Sequence, residues 1–326
     1  MTSLQPSRLD RTDALSRRLR FAPPTPQVRR LILTEADYQI FEAINRHGPL
    51  PTGYLFEFTK HLRRDYSHLQ NRLTEFYNGD VTGGKGGPYL TRPPQQFANF
   101  EARYQPIVYG LAPRARVALA ERGTLSRFST RGSDPFVHQL MCACVGASFE
   151  RAATDADIRY IPREEILARQ DRTGFNSVVK ALAIPISGMS QKTLIPDDLF
   201  GLNYSEGGFR FFAVEIDRST ESIERRNGVT GSYGAKVSGY DQILARQLYK
   251  EWWGVPNLTV LTVTTNPIHA ANLLNYVRQQ SQHTERFAFA TVPSFSADWR
   301  VPRQLLSHLL SSPWKTTGGN KQIGTP

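Results

Sequence analysis

The sequence predicts an α+β chain in two parts, a small helical module with a short hairpin followed by an α/β sandwich around a mixed sheet. Three observations carry that expectation. The 326 residues exceed one average domain and suffice for two modest cores. Three short stretches with helical periodicity precede two strand-like pieces in the first third of the chain. Beyond residue 135 the order is helix, two strands, helix, strand, which is the pattern of helices packed on a mixed sheet.

Residues 1–30 hold seven arginines against two acidic residues and close on "APPTP", so a disordered basic arm is expected. In the module that follows, residues 31–125, Thr34 can cap a first helix with Ile40, Phe41 and Ile44 on one face. A second short helix fits "PTGYLFEFTK". A third fits "DYSHLQNRLTEFYNG", with Leu62, Tyr66, Leu69, Leu73 and Phe76 on one stripe and Gly79 as its stop. Two strand-like pieces, "YLTRP" and "PIVYGLA", then a helix from Pro113 to Gly123, complete it.

That order predicts a winged helix-turn-helix, with the third helix entering the major groove and the hairpin as wing. Ser67, Gln70, Asn71 and Thr74 occupy the outer face of the third helix and can bond base edges, while Arg63 and Arg64 precede its start and suit phosphates. Polar residues face outward on any amphipathic helix, so a protein-contact role is the alternative. The formal charge of +11 and a pI near 9.8 favour a polyanionic partner and agree with double-stranded DNA.

Several other chemistries are disfavoured. "GDVTGGKG", Gly79 to Gly86, has the spacing of a phosphate-binding loop, but Gly86 stands where a Ser or Thr would ligate magnesium. Seven dispersed histidines give no His-x-His relaxase cluster. Cys142 and Cys144 diverge on a helix and read as small core residues in a reducing compartment, with no disulfide framework or zinc knuckle. Trp252 and Trp253 in "KEWWG" read as core before base-stacking groups. With no membrane-length apolar run and no secretory signal, a cytoplasmic chain with no membrane partner is expected.

After a linker, residues 126–134, the second domain spans 135–312, and a disordered tail is expected over 313–326. It opens on the apolar helix "FVHQLMCACVGASFERAA" and continues with a strand, "DIRYIP". The stretch "IPDDLFGLNYSEGGFRFFAVEIDRSTES" follows, two strands joined by a turn. It places Asp197 and Asp198 at the end of one apolar run and Glu215 and Asp217 at the end of the next. Then come one helix, "KVSGYDQILARQLYKEWW", the strand "NLTVLTVTT", a helix from Pro267 capped by Asn266, and a last strand "RFAFATV".

This order, with Pro196 and Asp197 in one strand end and Glu215 in the next, resembles the PD-(D/E)XK nuclease fold. The resemblance implies that an Asp and a Glu on neighbouring strand ends hold Mg2+ or Mn2+, which activates water for phosphodiester hydrolysis. Asp217 stands where that fold places a Lys, and a carboxylate cannot supply positive charge at the transition state. Lys236, at the start of the next helix, is the expected replacement, with Arg218 as a second candidate. The metal set is therefore Asp197, Glu215 and Asp217, with Lys236 as the fourth catalytic residue and Asp198 the first acid to drop.

"PDDLF", "FAVEIDRSTES" and "KVSGYDQIL" behind a winged helix are similar to the replication-relaxation family of plasmid and mobile-element proteins, from about Leu33 to Val292. That similarity implies a DNA-binding protein of a plasmid, phage or mobile element, serving replication or mobilisation alongside other proteins of that process. Two functions follow, a Mg-dependent endonuclease or nickase and a non-catalytic regulator or initiation factor on a vestigial nuclease fold. Oligomeric state is left open, a homodimer included.

Overall fold

The computed structural model describes residues 24–26, 30–81, 86–97, 104–126, 135–170, 177–187, 193–205, 207–218, 233–296 and 299–325. The chain is mixed α+β, with eleven α-helices among the described residues and a seven-stranded mixed sheet. It divides into two compact units, Met1–Ile44 with Pro49–Leu125 and Asn45–Gly48 with Ser126–Pro326. Most of the expected basic arm, the linker from residue 127 and residues 82–85 of the glycine-rich loop lie outside the described residues.

The first unit runs α1 (Glu35–His47), β1 (Leu50–Pro51), α2 (Thr52–Thr59), α3 (Tyr66–Asn78), β2 (Leu90–Thr91), β3 (Val108–Leu111) and α4 (Pro113–Arg122). Its three strands form an antiparallel sheet in the order β1-β3-β2. Phe41 of α1 packs 5.1 Å from Phe76 of α3 and stacks on Tyr89, ring centroids 5.7 Å apart, so apolar stripes of helical period meet over the sheet. Asp65 caps α3, its carboxylate accepting from His68 N at 2.7 Å, and Gly79 ends it at φ 68°, a conformation that favours glycine. Because the cap sits at Asp65, Leu62 precedes the helix and is 45% exposed, and Tyr66 in the first turn is 38% exposed. The expected five-residue apolar stripe reduces to Leu69, Leu73 and Phe76.

The second unit opens with α5 (Phe136–Asp155), β4 (Arg159–Ile161), α6 (Arg163–Ala168), α7 (Val178–Leu182), β5 (Ile184–Pro185) and β6 (Thr193–Leu194). It continues with β7 (Asp198–Asn203), β8 (Phe209–Asp217), α8 (Tyr233–Ala245), α9 (Leu248–Trp253), β9 (Thr259–Thr264) and α10 (Pro267–Gln280). It closes with β10 (Phe287–Thr291), α11 (His308–Ser311), β11 (Trp314–Thr316) and β12 (Gly319–Lys321). The large sheet has the order β12-β11-β10-β9-β8-β7-β4, with β8, β9 and β10 parallel and every other pairing antiparallel. Every residue of β9 is buried, as a central parallel strand covered on both faces requires.

The side chains of β8 alternate between the two layers. Phe211 and Ala213 join the core of Val237, Tyr240, Ile243, Leu273 and Val277 from α8 and α10, whereas Phe212 packs on Phe200, which packs on Phe149 of α5. The arrangement is compatible with an α/β sandwich.

Three expectations change here. Asp197 and Asp198 do not end a strand of the large sheet but stand at the start of one, since β6 pairs with β5 in a separate two-stranded sheet and Asp198 begins β7. The antiparallel hairpin nonetheless brings the start of β7 beside the end of β8, with Asp198 opposite Val214. The single helix expected over 236–253 is two, α8 and α9, broken where Gln247 adopts φ 53°. Trp253 lies in the core with its indole N–H on Leu182 O at 3.2 Å, which removes it from any base-stacking surface.

The third change concerns residues 313–326, where β11 and β12 form a hairpin on the sheet instead of a disordered tail. Gly and Thr suggest a tail, but one large apolar residue outweighs them. Trp314 is buried, 6.2 Å from Phe149, and donates its indole N–H to Leu309 O at 2.7 Å, while Tyr204 Oη donates to Ile323 O at 2.6 Å. Trp314→Ala is therefore expected to cost about 3–5 kcal/mol, as for a fully buried aromatic. Urea unfolding of the full chain followed by circular dichroism measures it, and a loss below about 1 kcal/mol would mean the hairpin is not integral to the sheet.

Candidate functional site

The acidic residues of the second unit stand at the carboxyl ends of parallel strands β8 and β9, where Glu215 lies opposite Thr262 and Asp217 opposite Thr264. Open α/β sheets place ligands at this end. Glu215 is 1% exposed, and both its oxygens have partners from α8: Lys236 Nζ donates to Oε2 at 2.7 Å and Tyr240 Oη to Oε1 at 2.6 Å. Lys236 and Tyr240 are four residues apart, so one helix face carries both donors. Gly239 lets that helix sit close, since a Cβ there would lie 2.7 Å from Leu194 Cδ1. Burial pushes the Glu215 carboxyl above its ordinary range; the Lys236 charge pulls it down and the Asp197 charge pushes it up. Burial also pushes the Tyr240 hydroxyl well up, and the neighbouring Glu215 charge adds to the effect.

The other acids face elsewhere. Asp197 accepts the backbone N–H of Ile216 on Oδ2 at 2.8 Å, and its Oδ1 lies 3.3 Å from His138 Nε2 on α5. Asp217 is buried with Oδ2 2.9 Å from His269 Nε2 on α10. Asp198 pairs with Arg163 and accepts its neighbour's Leu199 N–H at 2.8 Å, which makes it a structural anchor. Arg218 has its Nε buried with no hydrogen-bond partner among the described residues, and burial lowers its pKa.

The structure thus brings Lys236 onto Glu215 but does not gather Asp197, Glu215 and Asp217 into one ligand set. Among the described residues, the one group of three His, Cys, Asp or Glu side chains that gathers is His138, Cys142 and Asp197, one ligand atom from each lying within 4.8 Å of the others. The physical reason is that each buried carboxylate has turned to its own donor, on α8, α10 or α5, because desolvation is costly without one. Magnesium takes a near-octahedral shell of oxygens and is commonly held by one or two carboxylates with waters; the three carboxylates expected as its ligands do not gather as one set among the described residues.

Sequence reasoning passed over Tyr240, His138, Cys142 and His269. For Tyr240 the usable signal was its four-residue spacing from Lys236 on one helix. His138 and Cys142 share the same four-residue spacing on α5. Of the two thiols, Cys144 is buried as expected, while Cys142 is half-buried. At His138 burial opposes the charged form, yet hydrogen bonds to Asp197 and Cys142 push the imidazole up to about 11.

On the first unit, the outer face of α3 exposes Ser67, His68, Gln70 and Asn71, with Arg64 exposed just before the cap. His68 belongs to this face and was not singled out from the sequence. Two of the expected DNA contacts are otherwise engaged. Arg63 has a side chain 3% exposed and donates to Asp37 Oδ1 at 2.7 Å, so it holds α1 to the turn before α3 and cannot reach a phosphate. Thr74 is half-buried, donates to Gln70 O at 3.0 Å and accepts from Arg92 Nη2 at 3.3 Å.

Comparison of the chain with protein-family models, with characterised proteins and with solved structures yields no match. No helix among the described residues is long and apolar enough to cross a membrane.

Asp37 is fully buried and also receives Arg72 Nη2 at 2.8 Å. Burial raises its pKa, but the bonds from Arg72, Thr34 N–H and Arg63 outweigh that and hold the carboxyl below its ordinary value. Asp37→Asn is expected to cost about 3–5 kcal/mol at neutral pH by stranding buried arginines. A lowered folded pKa stabilises above the unfolded value of about 3.9 and loses that contribution as pH falls through the folded value, so the gap to wild type should shrink below about pH 4. All four tryptophans lie at positions 252, 253, 299 and 314. Circular dichroism of the full chain should therefore register the loss while tryptophan fluorescence reports an unaltered second unit.

Proposed function

We propose that this chain is a DNA-binding protein of a plasmid, phage or other mobile element, acting in its replication or mobilisation. The first unit is read as a winged helix-turn-helix. The order α1-β1-α2-α3-β2-β3 with one small antiparallel sheet supports that reading, as does the net charge of +11. The observation that carries it is the exposed face of α3, where Ser67, His68, Gln70 and Asn71 offer donors and acceptors, with Arg64 exposed just before the helix cap. Arg64 would hold a phosphate, and Gln70 and Asn71 would read base edges.

The test is duplex binding by the full chain, followed by fluorescence anisotropy over a range of salt concentrations. Arg64→Ala should weaken binding to all sequences alike and reduce the log-log salt slope by about one. Asn71→Ala should instead narrow the difference between preferred and random duplexes, by about 1–3 kcal/mol for a bidentate contact. Absence of salt-sensitive binding to any duplex would rule out this reading and leave α3 a protein-contact face.

The second unit is read as a PD-(D/E)XK nuclease-like sandwich, supported by its antiparallel hairpin beside parallel strands with α8 in the crossover. Its acids are each engaged by a separate donor, which favours a non-catalytic regulator or initiation factor. One observation favours cleavage, the Lys236 Nζ contact with Glu215, which sets a cation where the resemblance expects one. Nicking of supercoiled plasmid with Mg2+ or Mn2+ separates the two. The regulator predicts no difference between wild type, Glu215→Ala and Lys236→Ala at matched DNA affinity. Nicking by wild type that both substitutions abolish would establish the nuclease.

A further inference from the structure

We infer that His138, Cys142 and Asp197 form a binding site for a thiophilic divalent ion of the zinc or cobalt type, which takes Asp197 away from the magnesium set expected with Glu215 and Asp217. The inference stands on side-chain placement in the second unit and does not depend on DNA binding. His138 and Cys142 are four residues apart on α5, so their side chains leave the helix on one face, one turn from each other. Asp197 comes from a different element, the residue before β7, and its position is fixed by the backbone at both ends. Its N–H donates to Val214 O at 2.9 Å and its Oδ2 accepts Ile216 N–H at 2.8 Å, leaving Oδ1 turned to His138 Nε2. Two donors on a rigid helix face and one on a pinned strand end make a convergent, preorganised set.

The distances suit an ion. One nitrogen, one sulfur and one oxygen lie within 4.8 Å of each other. Donors around tetrahedral zinc, bound at about 2.0–2.3 Å, stand roughly 3.3–3.6 Å apart, so rotamer-scale motion of Cys142 and His138 closes the set. His138 and Cys142 are half-buried, which leaves an entry path, while Asp197 is buried.

The chemistry selects the ion. A thiolate beside an imidazole and one carboxylate suits zinc or cobalt, whereas magnesium takes oxygens and keeps its waters. Three protein ligands leave a fourth position for water or another ligand. A metal-bound thiol and imidazole carry no proton at the ligating atom, so binding releases protons and affinity rises with pH.

The test is titration of the full chain with Co2+ at neutral to mildly alkaline pH. Wild type should bind one equivalent, with a thiolate-to-cobalt charge-transfer band and the visible bands of a tetrahedral site. Zn2+ should displace the cobalt and excess Mg2+ should not. Cys142→Ser should lose the charge-transfer band, and His138→Ala and Asp197→Asn should each weaken binding by at least about tenfold. Cys144→Ser should leave the spectrum intact, and unchanged circular dichroism of every variant shows that the fold is kept. The proposal is overturned if wild type gives no charge-transfer band, if Cys142→Ser retains it, or if His138→Ala and Asp197→Asn both bind cobalt as tightly as wild type.

Discussion

Burying a carboxylate removes the water that solvated it, and Glu215, in the interior of the second unit and pushed up by burial, needs groups that replace that water. Lys236 and Tyr240 do so, one on each oxygen, from a single face of α8. The rotation of α8 about its axis is thereby fixed against β8. With Gly239 seated on Leu194, the same helix is fixed against the β5-β6 pair as well. The neighbouring acids obey the same rule with different partners: His138 for Asp197, Arg163 for Asp198 and His269 for Asp217. Each partner comes from a different helix, so the end of the sheet where these acids stand is also where the surrounding layers are pinned.

The first unit follows that rule on a smaller scale. Asp37 receives Arg63 and Arg72, and Asp80 receives Arg114 Nη1 at 2.9 Å and Leu31 N at 2.9 Å. In a chain with eleven more cations than anions, part of the positive charge is spent inside the fold. Each such pair cancels a cation against an anion and leaves the net charge of +11 unchanged, while just before α3 Arg64 is exposed and Arg63 is buried. The exposed face of α3, with Ser67, His68, Gln70 and Asn71 beside Arg64, is more polar than cationic.

Proximity in sequence marked the acids that burial would constrain, but it could not assign their partners. Asp197 and Ile216 are nineteen positions apart and are joined, Oδ2 to N–H, because β7 and β8 pair antiparallel; His138 is nearly sixty positions upstream of Asp197. Periodicity placed Cys142 on a helix and judged it by its separation from Cys144. The relevant neighbour was His138, one turn away on the same face. The thiol pair was read for what it lacked, a second thiol at metal-ligand spacing, and the mixed donor set went unseen.

The sequence by itself determined the helices and strands whose apolar spacing is local: α1, α3 from its cap onward, α4 with Pro113 and Gly123 at its ends, β8, β9, and α10 behind Asn266. It offered Lys236 and Arg218 as partners for Glu215, and the packed structure sets Lys236 Nζ on the carboxylate. Only the tertiary structure decided that Arg63 is buried, that α8 breaks at Gln247, that residues 314–321 add two strands to the sheet, and which donor each acid takes. Hydrophobic period and capping act over a few residues. The pairing of a buried charge is settled by whichever donor the packed layers bring within about 3 Å, a property of the assembled core that no short stretch of sequence encodes.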